Sequence, residues 1–258
     1  MVNESNLFYE MKNNYIQHIN EESSFCFKLA NKKIKIKFNS QKLVYWFTIS
    51  LEYLKTQEFD DNQADLIIYV WENIFNDSMP AIFSKYASEM IWRGGFLYFK
   101  NNTVKCSYSH EPAYYQYYNK EKNIAFCCVN DEKELPFLHV CHPFRQILHW
   151  WAQEHNFILT HSAGIGINKN GALLIAVGGS GKSTTAITGL LNGIGYTSDD
   201  YVLLEPDKNI AHFIYSAGYL NQDMIKRLPE LKQHIIGYDK TRNNKTLVNL
   251  LPYKNRFI

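Results

Sequence analysis

No run of eighteen apolar residues occurs in the 258-residue sequence, so no membrane-spanning helix is expected. The opening stretch, Met1 to Asn6, is polar and does not resemble a secretory signal. Neither sign of charge dominates: 27 basic side chains stand against 25 acidic ones, for a net charge of +2. That balance excludes recruitment to nucleic acid or to a membrane surface by bulk electrostatics, and neither partner is expected. There is no C-x-x-C pair. The five cysteines (Cys26, Cys106, Cys127, Cys128 and Cys141) are odd in number, and adjacent Cys127 and Cys128 would face opposite sides of a strand. Buried free thiols in a reducing cytoplasm are expected, not disulfides or a zinc site.

What is present is concentrated between Gly171 and Asp200. An apolar run, Ala172 to Ala176, predicts a short buried strand. The turn Val177-Gly-Gly-Ser-Gly181 follows, and then Lys182-Ser183-Thr184-Thr185 opens a helical pattern ending before Gly193. Strand, glycine-rich turn and helix in that order are the setting in which GK[ST] binds phosphate. Gly178, Gly179 and Gly181 free the backbone to turn, so that N–H groups of Gly178, Gly179, Ser180, Gly181, Lys182, Ser183 and Thr184 can face one anion at a helix N-terminus. Lys182 is the candidate for the β- and γ-phosphate oxygens and the Ser183 hydroxyl for Mg²⁺. The first position of the G-x-x-x-x-G-K-[ST] pattern is Ala176, where the strand ends and a small residue suffices.

Elsewhere the chain reads as strands and a few helices. The first 20 residues are expected to be a loosely held lead-in. Ile34, Ile36 and Phe38 alternate with Lys33, Lys35 and Lys37, which predicts a half-buried strand with a solvated lysine face and a turn at Asn31-Lys32. Leu43 to Leu54 is ambiguous between strand and helix, whereas Asp65 to Trp71 predicts a buried strand. Turns are expected at Arg93 to Gly95, Asn101-Asn102 and Lys120 to Asn123, with strands between and after them. Tyr114, Tyr115, Tyr117 and Tyr118 lack interleaved basic residues, so sheet packing is expected and not base stacking. Pro143 is placed as the first residue of a helix, with Phe144, Ile147, Leu148 and Trp151 on one face. The spacing of His139, His142, His149 and His155 puts no two of them four apart on a helix, and packing or solvated roles are expected for them. Two strand-like runs joined by Asn168 to Gly171 would bring His161 beside the glycine loop.

Asp199 and Asp200 lie 17 and 18 residues beyond Lys182. Adjacent carboxylates there suit phosphoryl transfer: one holds Mg²⁺ directly or through water, and the other accepts a hydroxyl proton. The apolar strand follows this pair (Tyr201 to Leu204) instead of preceding it, and neither an LSGGQ stretch nor an NKxD motif comes later.

On His161, the AVGGSGKSTT loop and TSDDYVLLE, the chain resembles the HPr kinase/phosphorylase-like kinases. It is closer to an HPr-kinase-related branch with a proline-started helix bearing paired tryptophans. DLIIYVW, SAGYLNQDMIKRLPEL and KTLVNL also look like that branch. The resemblance implies Asp200 as proton acceptor from a substrate serine, Asp199 as metal or water support, and His161 as an active-site histidine beside Lys182. It implies a mixed sheet of the HPr kinase/phosphoenolpyruvate carboxykinase type. Such kinases generally continue past the point of Phe257-Ile258, so C-terminal strands and a catalytic arginine are expected to be missing. No counterpart of their further acidic metal ligand is found.

The expected architecture is α/β: a smaller N-terminal β-rich α+β domain (1–140) and a P-loop kinase domain (141–258). The expected activity is an ATP- and Mg²⁺-dependent kinase, cytoplasmic and a candidate homo-oligomer, that phosphorylates serine in a protein or peptide. Two alternatives stay open, a nucleotide-gated maturation partner without kinase activity and a stand-alone ATPase.

Overall fold

The computed structural model describes residues 4–73, 90–93, 96–100, 103–109, 114–131, 133, 135–168, 170–239 and 245–258. The turns expected at Gly94-Gly95 and Asn101-Asn102 lie outside the described residues. The chain is α/β and divides into two compact units of nearly equal size, so the N-terminal one is not the smaller. The first unit takes residues 1–46, 56–135 and 146–151; the second takes 47–55, 136–145 and 152–258.

The first unit is built on an eight-stranded mixed sheet, ordered β1-β2-β3-β8-β7-β6-β5-β4. Its strands are β1 (Ser23–Leu29), β2 (Lys32–Phe38), β3 (Leu66–Glu72), β4 (Met90–Arg93), β5 (Phe96–Lys100), β6 (Val104–Ser109), β7 (Tyr114–Asn119) and β8 (Ile124–Val129). The pairs β2–β3 and β3–β8 are parallel and the rest antiparallel. The expected lead-in is instead helix α1 (Glu4–Gln17). Its Leu7, Phe8, Met11 and Tyr15 recur at helical spacing and pack with Trp71, Tyr115, Tyr117 and Phe126 in one core cluster. The four tyrosines of β7 are buried in the sheet.

The lysine face of β2 is covered, contrary to expectation, because Phe59 and Asp61 lie over it. Lys35 bonds the Phe59 carbonyl at 2.9 Å, and both Lys35 and Lys37 meet Asp61 at 3.0 Å. The hairpin turn before β2 is Ala30-Asn31, both with positive φ, which suits the twist of a two-residue connection. The ambiguous Leu43 to Leu54 segment resolves into α2 (Gln41–Thr48) and a single 3₁₀ turn, Glu52–Leu54.

Three small antiparallel sheets make the second unit: β11-β10-β12, β14-β13-β9 and β15-β17-β16. Their strands are β9 (Ile158–His161), β10 (Ala163–Ile167), β11 (Asn170–Leu174), β12 (Gly195–Ser198), β13 (Tyr201–Glu205), β14 (Ile210–His212), β15 (Ala217–Asn221), β16 (Ile235–Asp239) and β17 (Lys245–Asn249). The mixed sheet expected around the glycine loop therefore belongs to the other unit. Helix α3 (Phe137–Cys141) ends at His142, and α4 (Arg145–Glu154) begins three residues past it. Pro143 does not start α4. The residue before a proline is driven out of the helical region, and Phe144 turns left-handed at φ 56°. The cost of that turn is offset by burial of Phe144, whose ring stacks on Phe47 at 5.1 Å. Helices α5 (Lys182–Leu191) and α6 (Gln222–Arg227) complete the unit. Ala186, Ile187 and Leu190 of α5 join Tyr196, Leu220, Val248 and Phe257 in its core.

Candidate active site

One break in strand pairing builds the site. His161 pairs with Tyr201 and Gly164 with Ser198 in a single antiparallel register. The chain from Ile158 to Gly166 thus runs against 195–204 as one ribbon, interrupted where Ser162-Ala163 faces Asp199-Asp200 and shifted in register between Gly164 and Ile165. The Ser198 hydroxyl accepts the N–H groups of Asp200 (3.1 Å) and Tyr201 (2.9 Å), which steadies the bend. Asp200 is thereby placed against the last residue of β9: its Oδ1 meets His161 Nε2.

The strand expected to lie buried at Ala172 to Ala176 is β11, shifted to Asn170–Leu174, and it is exposed or half-buried throughout. It is an edge strand, and the chain leaves the sheet after Leu174, so Ile175 and Val177 stand in solvent. β10 and β11 pair with each other, as expected, but only from Ala163 onward. His161 therefore comes to Asp200 through β13, and not to the loop through β11.

Gly179 and Gly181 have φ of +81° and +97°, which a side chain rarely adopts. A Cβ built on Gly178, Gly179 or Gly181 would meet nothing within 4 Å, so the loop surrounds open space. Gly181 caps α5 with no side chain, leaving first-turn N–H groups of the helix for a ligand or water. Lys182, the first residue of α5, is buried and donates from Nζ to the carbonyls of Ala176 (2.8 Å) and Val177 (3.3 Å). Ser183 Oγ donates to the Asp199 carbonyl at 3.2 Å, which ties the loop's helix to the acidic bend. Thr184 Oγ1 lies 3.8 Å from Met224 Sδ, and Ser180 is exposed.

The two aspartates differ. Asp199 is buried and takes the Tyr196 hydroxyl on Oδ1 at 2.8 Å. Burial, reinforced by the charge of Asp200, pushes its carboxyl up to about 7 despite that hydrogen bond. Asp200 is a quarter exposed and lies between two imidazoles. His161 is half exposed and on one oxygen. On the other is His142 Nε2, 3.5 Å from Oδ2. The Tyr201 ring stacks on His161 at 5.3 Å and meets His142 edge-on at 4.9 Å. Its hydroxyl is fixed by Arg145 Nη1 at 2.7 Å.

Sequence reasoning thus brought Asp200 and His161 into one site and made Ser183 a Mg²⁺ ligand, where the structure has its hydroxyl on the Asp199 carbonyl; it missed His142, Arg145, Tyr196 and Tyr201. His142 is not a bystander of the helix: it is buried, 58 positions from the carboxylate it faces, and no local spacing signals that pairing. The one local hint is the proline after it, which breaks the helix and fixes its direction. Among the described residues no cluster of three or more His, Cys, Asp or Glu is arranged to hold a metal. A separate cavity of about 680 Å³, lined by Ile158, Ile165, Leu173, Leu204 and Ile210 among others, contains none of the predicted site residues. Among the described residues no helix is long and apolar enough to cross a membrane. No protein-family model and no curated protein matches the chain.

Proposed function

We propose that this protein is an ATP-dependent kinase of the HPr-kinase-like type, which transfers the γ-phosphate to a serine hydroxyl of a protein or peptide. The observation that carries the reading is that an open glycine loop with Lys182 at its helix start is tied by Ser183 to an acidic bend holding a histidine-bound carboxylate. An anion-binding helix start and a proton acceptor on one framework are the two parts that phosphoryl transfer requires.

The residues fit ATP and Mg²⁺. Space above Gly178, Gly179 and Gly181 lets backbone N–H groups approach phosphate oxygens, and Lys182 has only carbonyl partners to exchange for them. Mg²⁺ in phosphate sites takes one or two protein oxygens, so the Ser183 hydroxyl with Asp199 behind it suffices as the protein's share. When bound, the ion supplies charge neutralisation on the transferred phosphoryl group. Asp199, held by Tyr196 and with a raised carboxyl, would support the ion directly or through water.

Asp200 takes the proton of the attacking serine hydroxyl, and His161 steadies the carboxylate from the solvent side. The Tyr201 ring, anchored by Arg145, keeps the His161 imidazole flat against the site. The test is to follow labelled γ-phosphate from ATP in the presence of candidate peptides. Label on serine supports the kinase, label in inorganic phosphate a stand-alone ATPase, and binding without transfer a nucleotide-gated maturation partner.

A further inference from the structure

The second histidine on Asp200 has a chemistry of its own. His142 is almost wholly buried, and its Nε2 faces two atoms: Asp200 Oδ2 at 3.5 Å and Cys141 Sγ at 3.4 Å. The Cys141 thiol proton is already directed to the Ala217 carbonyl, 3.3 Å away, so the sulfur offers Nε2 a lone pair and no proton. A carboxylate likewise only accepts. Both neighbours of Nε2 therefore call for an N–H there. The other ring nitrogen, Nδ1, is buried without a hydrogen-bond partner. An orphaned buried N–H is rarer and costlier than an under-used lone pair. The tautomer that leaves no N–H orphaned is neutral imidazole with its proton on Nε2. Burial, outweighing the attraction of Asp200, lowers the ring to about 4 and keeps it uncharged near neutrality.

A neutral donor and a charged one do different things to a base. An imidazolium would neutralise Asp200 and weaken it as a proton acceptor. Neutral Nε2–H fixes the carboxylate's plane while leaving its charge in place. The ring itself is immobilised, edge-on to Tyr201 at 4.9 Å and to Tyr215 at 5.1 Å, and the Tyr215 hydroxyl is bonded to the Pro143 carbonyl at 3.0 Å.

We infer that His142 is a positioning residue for Asp200: a buried neutral imidazole, its tautomer set by Cys141, that donates Nε2–H to Oδ2 and orients the carboxylate toward the attacking hydroxyl. The role in catalysis rests on the kinase reading, but the hydrogen bond does not, and the test separates the two.

In the ¹⁵N-labelled full chain, two-bond ¹⁵N–¹H spectra report the protonated ring nitrogen, with the His142 signals identified by their loss in His142→Gln. The Nε2–H tautomer is expected, with a slowly exchanging Hε2 resonance that moves upfield in Asp200→Ala. An Nδ1–H tautomer, or an Hε2 resonance indifferent to Asp200→Ala, overturns the assignment whatever the protein does with ATP. The second arm compares release or transfer of γ-phosphate in His142→Leu and His142→Gln. Leu fills the space without a donor, and turnover is expected to fall by about 10-fold or more at unchanged ATP affinity. Gln returns an N–H near the Nε2 position and is expected to recover most of the loss. Turnover in His142→Leu equal to the parent, or no rescue by Gln, removes the positioning role. Failure of the parent to bind ATP sinks the kinase reading and leaves the spectra to decide the hydrogen bond.

Discussion

Both units carry charged side chains in shielded places, and they treat them in opposite ways. In the first unit the two most shielded cations on β2, Lys35 and Lys37, share the anion Asp61. Burial would raise the Asp61 carboxyl, but hydrogen bonds from Lys35 and Lys37 outweigh it and hold the group below its usual value. In the second unit the most deeply buried carboxylate, Asp199, has a tyrosine for a partner and a like charge next door, and its carboxyl rises. The paired arrangement stabilises a sheet face at little risk. The unpaired one holds a group near the middle of the physiological pH range at a cost to stability, which a structure retains where the group has work to do. Among the described carboxyl groups with a shifted value, the raised one thus falls on the bend beside the glycine loop, and the one on the sheet face is lowered.

The largest expected effect breaks that comparison at its centre. Asp200→Asn keeps the shape and the contacts with both histidines but removes the base. Phosphate transfer is expected to fall by about 10²–10⁴-fold, with ATP affinity unchanged or improved by the loss of a negative charge. Asp200→Asn losing ATP binding along with turnover would make Asp200 a metal ligand or a structural group. Full activity in this variant would discard the mechanism.

Next in size is Lys182→Ala. The ammonium would exchange two carbonyl contacts for phosphate oxygens, and charge-assisted hydrogen bonds contribute about 1.5–3 kcal/mol each. Two of them lost correspond to an ATP affinity lower by roughly 10²-fold or more. Equal affinities by calorimetry would remove the loop from the site.

Sequence and structure agree most where the signal is local. The glycine loop, the start of α5 at Lys182 and the strands β2 and β3 are set by residues a few positions apart, and they form where expected. The disagreements come from tertiary placement. Apolar Ile175 and Val177 continue the strand's pattern, yet they are exposed because β11 is an edge strand and the loop leaves it at Leu174. The lysines of β2 look solvated because Asp61, which covers them, is 24 positions from Lys37. His142 looked idle for the same reason. Its two partners in orientation, Asp200 and Tyr201, come from the bend before β13 and from that strand's first residue, and periodicity carries no information about where that bend packs.

A smaller effect follows from the depressed His142. Its folded value, about 4, lies below the ordinary 6.5, so the unfolded chain binds this proton more readily. The stability this contributes is fully present above pH 6.5 and is lost as pH falls through about 4. The full linkage is at most about 3–4 kcal/mol, from ~1.4 kcal/mol per pKa unit. Thermal unfolding between pH 7 and 4 is expected to be less pH-dependent in His142→Gln than in the parent. Identical slopes would mean that the ring titrates normally and is not held neutral.

The smallest effect is expected from the scaffold side of the comparison. Asp61→Asn removes the anion shared by Lys35 and Lys37, but it leaves Lys35 its Phe59 carbonyl and Lys37 a weaker contact with Glu22 at 3.7 Å. Asp61 is nearly half exposed, so water screens what is lost. Exposed ion pairs contribute about 0–1 kcal/mol, and a shared carboxylate belongs near the top of that range. Stability is expected to drop by roughly 1 kcal/mol, and by less in high salt, because screening already weakens the pairs in the parent. ATP affinity and phosphate transfer should not change, since Asp61 is used to hold a sheet face and not to move a proton. Chemical denaturation at two salt concentrations, alongside ATP titration, measures both halves. A salt-independent loss of several kcal/mol would show that Asp61 works as a buried charge. A loss of ATP affinity would mean that perturbed carboxylates do not distinguish scaffold from site in this protein.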